Sequence, residues 1–460
     1  MTTTAAIDRP VEAPSQPRDR AGLVAALLLA VVYGGVGMLR YRNWWSGAID
    51  LGVFDQGVYL LSRGMAPEVT INGRNLFADH LSISVLFFVP LYRLAATPYW
   101  LFAAQGVALG ATVLPLRALA RDEGVAPWVA TVAVACGTPL SAAAMFEFHP
   151  AALAVPFVAW AALEAKRGNV SRATVAGVLI LLCRAELAWV LMGLALVAAP
   201  AVRKRFVGLS VAGIVFGFTV PALLGARGTF DVHFGHLGSS PKDAVLHPWR
   251  ILEALASADT MTKLIILFLP VGFLTFVKPR WAAATLVAAA PVVLSRWPGT
   301  SMPWFHYWAP MYPLAVAGAI VALGDPKRHR LVQPALVVVG GVAALAFMSP
   351  LSPRAPGPVA VESLTRYRHD RADAVARANI GPNDAVVATS AMLAHLTHRQ
   401  EAWLFPAPYG AAEPAELSPT PSKAAAARVD VVVLEGDAVD QAKDYGIEGD
   451  TEDEILTAKP

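Results

Sequence analysis

Two carboxylates stand five residues apart in AIDLGVFDQGVYLLSRG, Ala48 to Gly64, just beyond the first long apolar run of the chain. An acid in that place has three uses. It is solvated, it caps a helix by accepting the first free amide hydrogens, or it takes the proton from a hydroxyl as the general base of a reaction at the membrane surface. Asp50 is the first candidate for that base and Asp55 the second. The two lie about 140° apart around an ideal helix, so they do not share one task.

Other acids and bases recur at later turns. FADHLSI carries Asp79 and His80, MFEFHPAALAVP carries Glu147 and His149, and CRAEL carries Arg184 and Glu186. Each has a plain reading: Asp79 and His80 as caps of the next helix, Glu147 and His149 as a polar turn before Pro150 at a helix start, Arg184 and Glu186 as a neutralised pair. Taken together they supply a phosphate site, because an arginine fork matches a phosphate, His149 and Lys242 can assist it, and the carboxylates and His80 can orient a sugar. His306 lies in the aromatic stretch RWPGTSMPWFHYWAP, Arg296 to Pro310, which suits an interface belt or the wall of a lipid or sugar site. In FDVHFGHLGSSP, His233 and His236 stand three apart, a spacing that metal sites use, but no cysteine or placed third ligand accompanies them. No cofactor is called for by these residues, and a divalent metal is no more than compatible with them.

The elements that must position these groups are membrane helices. The chain has 460 residues, 56% hydrophobic and 15% charged, with a mean hydropathy of +0.50, too apolar for a soluble protein of this size. The net charge of +3 is spread along the sequence without a basic tract, which sets nucleic acid aside as a partner. Cys136 and Cys183 lie far apart inside apolar runs and read as small hydrophobes.

Eleven apolar runs are candidate spans: Ala21–Leu39, Tyr99–Ala120, Pro127–Met145, Pro150–Leu163, Ala173–Cys183, Leu187–Ala199, Phe206–Leu224, Met261–Val277, Trp281–Leu294, Trp308–Leu323 and Leu331–Met348. Residues 1–20 form a polar leader before an uncleaved first span. Lysine and arginine favour cytoplasmic loops. The clusters Arg18/Arg20, Arg117/Arg121, Lys166/Arg167/Arg172, Arg203/Lys204/Arg205, Lys278/Arg280 and Lys327/Arg328/Arg330 share one side under two conditions. Leu81 to Ala95 must lie at the interface without crossing, and Ala173 to Ala199 must reverse at Arg184 to Leu187. An unbroken helix there would bury Arg184 and Glu186 at a cost of roughly 2.5–3.5 kcal/mol each. The result is an N-in bundle over residues 21–349 with outer loops at 40–97 and 226–260. Histidine, which was not used to build this topology, checks it: of ten, only His329 falls inside.

The stretches DLGVFDQ, FADHLS, FEFHPAALAVP, CRAEL and LAHLTHRQEAWLFP, in that order from Ala48 to Phe405, resemble a bacterial predicted-membrane-protein family known as domain of unknown function 2079. That family is grouped with the GT-C superfamily of integral-membrane glycosyltransferases. The resemblance implies an outer first loop carrying the catalytic acid, a polyprenyl-phosphate sugar as donor, and a cell-envelope glycan, lipid or protein as acceptor. The chain departs from the mannosyltransferase pattern in having Phe54-Asp55-Gln56 where Phe-Asp-Glu is expected, and it lacks a plain His-Pro-Pro-Leu. The alternatives are a lipid or small-solute transporter, which often shows repeated halves that are not found in this sequence, and a non-catalytic partner in envelope assembly.

After Met348, the proline-rich SPLSPRAPGPVAVES leads into residues 350–460, where helix-like and strand-like pieces alternate. AVVATS, AWLF and RVDVVVLEG read as strands of a small outer α/β domain. The acidic YGIEGDTEDEILTAKP reads as loose. The expected fold class is thus a mainly α, polytopic transmembrane bundle with a small C-terminal extracytoplasmic α/β domain in the cytoplasmic membrane.

Overall fold

The structure, a computed structural model, describes residues 19–226, 230–325, 332–349, 352–355, 360–411 and 419–459. Most of the expected leader, the basic cluster Lys327/Arg328/Arg330 and His329 lie outside the described residues.

The chain is mainly helical. Three helices, Arg20–Arg42, Tyr99–Asp122 and Pro200–Leu223, are long and apolar enough to cross a membrane, and two bent pairs raise the number to five. Six further apolar helices of 10–17 residues are shorter, so length and composition support fewer crossings than the eleven expected. Each of the eleven runs nevertheless contains a helix. Local chemistry explains where the runs break. Met261–Val277 stops as an α-helix at Phe268 and continues as 3-10 turns, because Pro270 lacks a donor and Gly272 takes a φ of +58°.

Asp19 caps the first helix by accepting from the Gly22 amide. One face of that helix is lined with glycine, and its backbone packs directly on the Tyr99–Ala111 helix. A Cβ on Gly106 would meet Gly34 N at 2.5 Å, closer than atoms tolerate. The other face exposes Leu23, Val24, Leu27, Leu28, Val31 and Val32, as a lipid-facing surface does.

The expected reversal is present. Helix Val170–Cys183 runs parallel to Pro200–Leu223, since Gly177 meets Leu209 and Leu181 meets Gly213. Helix Ala188–Val197 runs antiparallel to it, since Ser210 donates to the Ala188 carbonyl and Arg203 to that of Ala195. The chain therefore turns back at Arg184, whose backbone is extended.

The described basic clusters gather at the end of the bundle away from this turn. There Arg117 and Arg121 pair with Asp19, Arg167 with Asp122, Lys166 with Glu123 and Lys278 with Asp325. Leu81 to Ala95 folds as short helical pieces over Ile83–Leu94. It buries Val85, Phe88 and Tyr92 and exposes Phe87 and Leu94.

The C-terminal region forms a five-stranded sheet ordered Ala402–Leu404, Val386–Ala388, Val431–Glu435, Ile455–Ala458, Asp450–Glu452. The first three strands are parallel and the last two antiparallel. The acidic end is thus not loose: Ile455 and Leu456 are buried and pair with Glu435 and Leu434, burial that outweighs the surrounding acids. This region shares a core with the first loop. Ala48, Leu51, Phe54 and Val58 pack in one cluster with Ala374, Val386, Met392 and Val431.

Candidate active site

Asp50 sits in a π-helical turn, Ala48–Gly52, that opens the helix Val53–Ser62. Single π turns recur at functional sites because they swing a side chain out of helical register. Ala48 and Leu51 are fully buried beneath it. Two contacts pin its entry: the Gly47 amide donates to Glu147 Oε1 at 2.9 Å, and the Ala48 amide to Ser390 Oγ at 3.0 Å. Asp50 does not cap a helix, and its carboxylate makes no hydrogen bond or ion pair with the described residues. Burial, then the negative charge of Glu147, pushes its pKa up to about 7, with His80 and Arg184 pulling the other way.

Arg184, at the reversal, is the hub of the facing wall. The Ala185 amide donates to the Leu81 carbonyl at 3.0 Å, which brings His80 to the guanidinium. Arg184 Nε lies 3.3 Å from Glu186 Oε2, Nη1 3.2 Å from His149 Nε2 and Nη2 3.1 Å from His80 Nδ1. His80 Nδ1 also lies 3.0 Å from Glu186 Oε1. Glu186 has a side chain 42% exposed; partial desolvation favours its neutral form, but Arg184 and His80 outweigh that and hold the carboxyl below its ordinary range. His149 stacks on His306 with ring centroids 4.1 Å apart. Burial first, and for both the charge of Arg184, keep these two imidazoles neutral, well below the usual histidine range.

A neutral imidazole has one acceptor nitrogen, yet both ring nitrogens of His149 face donors. Nδ1 accepts from the Ala151 amide at 3.3 Å as the helix cap before Pro150, which places the proton on Nε2, opposite Arg184 Nη1. Two donors therefore face each other at 3.2 Å. Beside them, His306 is buried with neither ring nitrogen partnered among the described residues. The wall converges donors on a space that asks for an anion.

The remaining candidates divide. Asp79 flanks the site, bonded to Arg74 at 3.2 Å and 3.9 Å from His80. Glu147 supports it from below, paired with Arg40 at 3.3 Å, and burial raises its pKa despite that partner. Asp55 is elsewhere. It is fully buried and accepts from Tyr92 at 2.5 Å, from Thr397, and from His398 at 3.1 Å, so it anchors the helix to the C-terminal domain. Burial lowers the His398 pKa, but Asp55 outweighs it and the net shift is upward. Lys242 is exposed and makes no contact with the cluster. His233 bonds Ser295 at 2.9 Å, while His236 faces Arg296, Lys263 and Asp259. The pair points to different neighbours, and among the described residues no group of three His, Cys, Asp or Glu is arranged around a metal position.

Sequence reasoning passed over Arg40, Gln105 and Ser390. Arg40 reads in sequence as an ordinary charge at a span end, yet it is 1% exposed. Gln105 donates to the Ala143 and Glu147 carbonyls at 2.9 and 3.3 Å and accepts from the His149 amide at 3.0 Å, fixing the Glu147–His149 turn. A glutamine inside the apolar YWLFAAQGVALG was the available signal.

A comparison with curated proteins finds no match for this chain. The model of the family described as "Predicted membrane protein (DUF2079)" matches residues 40–456, a range that holds the Asp50 turn, the Arg184 wall and the C-terminal sheet, and the chain belongs to that family.

Proposed function

We propose that the protein is a GT-C-type membrane glycosyltransferase that moves a sugar from a polyprenyl-phosphate donor to a cell-envelope acceptor at the outer face of the cytoplasmic membrane. The observation that carries this reading is an unpaired carboxylate with a pKa of about 7 in electrostatic range of a wall of unmatched donors. Asp50 takes the proton of the acceptor hydroxyl. The freed oxygen attacks the anomeric carbon, the bond from that carbon to the phosphate oxygen breaks, and the polyprenyl phosphate leaves with its negative charge against Arg184, His149 and His306. Glu186, Asp79 and His80 hold Arg184 and sugar hydroxyls. The exposed apolar side chains of Phe87 and Leu94 offer the lipid tail a place in the bilayer beside the site. Purified protein given radiolabelled polyprenyl-phosphate sugars and an envelope fraction should pass label to the envelope. Label that stays on the lipid for every sugar offered would defeat the reading.

A base with a pKa near 7 works only when ionised, so transfer should rise with pH up to about pH 7 and then level, and it should fall about tenfold per unit on the acid side. A kcat/KM profile flat from about pH 5 to 9 would speak against Asp50.

The same reading places the Arg184 turn outside the cell and the basic end in the cytoplasm, with eleven crossings. In a Cys136→Ala/Cys183→Ala background, Glu186→Cys should react with a membrane-impermeant thiol reagent in intact cells. Reaction confined to lysed cells would overturn that topology.

A further inference from the structure

At the basic end of the bundle, an open groove of about 370 Å³ runs beside the helices Val113–Asp122 and Val155–Arg167. Leu114, Pro115, Phe157 and Trp160 form its apolar walls, and Glu164, Arg167 and Arg172 its polar part. Glu164 is 1% exposed. Its neighbours crowd onto one oxygen: Trp160 Nε1 donates to Oε1 at 3.2 Å, and Arg167 and Arg172 lie 3.7 and 3.8 Å from that same atom. Oε2 is buried with no hydrogen-bond partner among the described residues. Arg167 is already bonded to Asp122 at 2.7 Å, whereas Arg172 is largely exposed at the rim, with a side chain 63% accessible.

The groove thus asks for two unlike things beside an apolar wall. A buried carboxylate oxygen without a donor is costly, and an exposed guanidinium at the membrane surface attracts a phosphate. A zwitterionic headgroup joined to acyl chains supplies both. We propose that this groove binds a phospholipid with a primary ammonium headgroup of the phosphoethanolamine type. Rotation of the Glu164 side chain, which lines the groove, presents the buried Oε2 to the ammonium, the phosphate pairs with Arg172, and an acyl chain lies on Trp160, Phe157 and Leu114. A choline headgroup carries the same charge but no N–H, and a glycerol headgroup carries no cation. The groove is separate from the Asp50 site, and its test does not use transfer activity.

The test is native mass spectrometry of the full chain, delipidated in detergent and offered dioleoyl phosphatidylethanolamine, phosphatidylcholine and phosphatidylglycerol at equal concentrations. Phosphatidylethanolamine should be retained about tenfold over the other two, the scale of one charge-assisted hydrogen bond. Glu164→Gln should bring the three within about twofold, and Arg172→Ala should weaken all of them. On the unaltered protein, the N-methyl series should hold through the dimethyl headgroup and drop at the trimethyl one, where the last N–H is lost. Equal retention of ethanolamine and choline lipids, or an unchanged preference in Glu164→Gln, would overturn the proposal. A preference for phosphatidylglycerol would assign the groove to anionic lipid through its arginines alone, and would overturn it as well.

Discussion

Asp50→Asn should lose at least about a hundredfold of transfer activity, the lower scale of general-base catalysis, while folding and inserting like the parent. The amide is nearly isosteric and keeps the π turn, which is held by the Gly47 and Ala48 amides and not by the carboxylate. The stability change has a defined sign. A carboxyl whose folded pKa stands near 7, against 3.8 as the ordinary value, is a group the fold prefers protonated. Ionisation therefore lowers stability as pH rises through that range, and the neutral amide removes the penalty. Asp50→Asn should melt at or above the parent temperature at pH 8, whereas a capping role would give a loss of about 1 kcal/mol on Asp50→Ala with activity kept. Asp55→Asn gives the contrast: it leaves Asp50 untouched but removes the charge facing His398, so its first effect should be on stability. Near-normal transfer by Asp50→Asn would remove this residue from the mechanism.

Arg40→Met should cost about 3–5 kcal/mol, the scale on which removing one partner of a buried ion pair leaves the other charge uncompensated. Arg40 is 1% exposed and its partner Glu147 5%. The guanidinium also donates to the carbonyls of Met145 and Phe146, and to that of Trp45 at 3.2 Å. The variant should unfold at lower temperature in detergent and accumulate poorly in membranes. Adding Glu147→Gln removes the stranded charge and should return part of the loss, although Gly47 then keeps only an amide oxygen for its hydrogen bond. A parental melting temperature for Arg40→Met would show that the pair is not what joins the first helix to the Glu147 turn.

The apolar runs made the helices legible, because burial in lipid and in the bundle both select the same residues. The reversal at Arg184 was legible too, since the cost of burying Arg184 and Glu186 forbids a straight helix. Strands Val386–Ala388, Ala402–Leu404 and Val431–Glu435 followed from β-branched runs. Partner choice was not legible. Arg40 and Glu147 are 107 residues apart and Asp55 and His398 343 apart, and no local period encodes such a meeting. For the same reason, Asp55 stood in sequence as the second candidate base, and only the fold brings Tyr92, Thr397 and His398 to its carboxylate.

The span between those partners also bears on how the protein is made. Ser390, Thr397 and His398 reach Ala48 and Asp55 across about three quarters of the chain, so the first loop is made long before the residues that pin it have been synthesised. Contacts of such sequence separation form late. A nascent chain therefore carries an Asp50 turn without its Ser390 contact while the helices are being made, and a stop codon between Ser349 and Ser390 leaves those helices without the side chain that pins the turn.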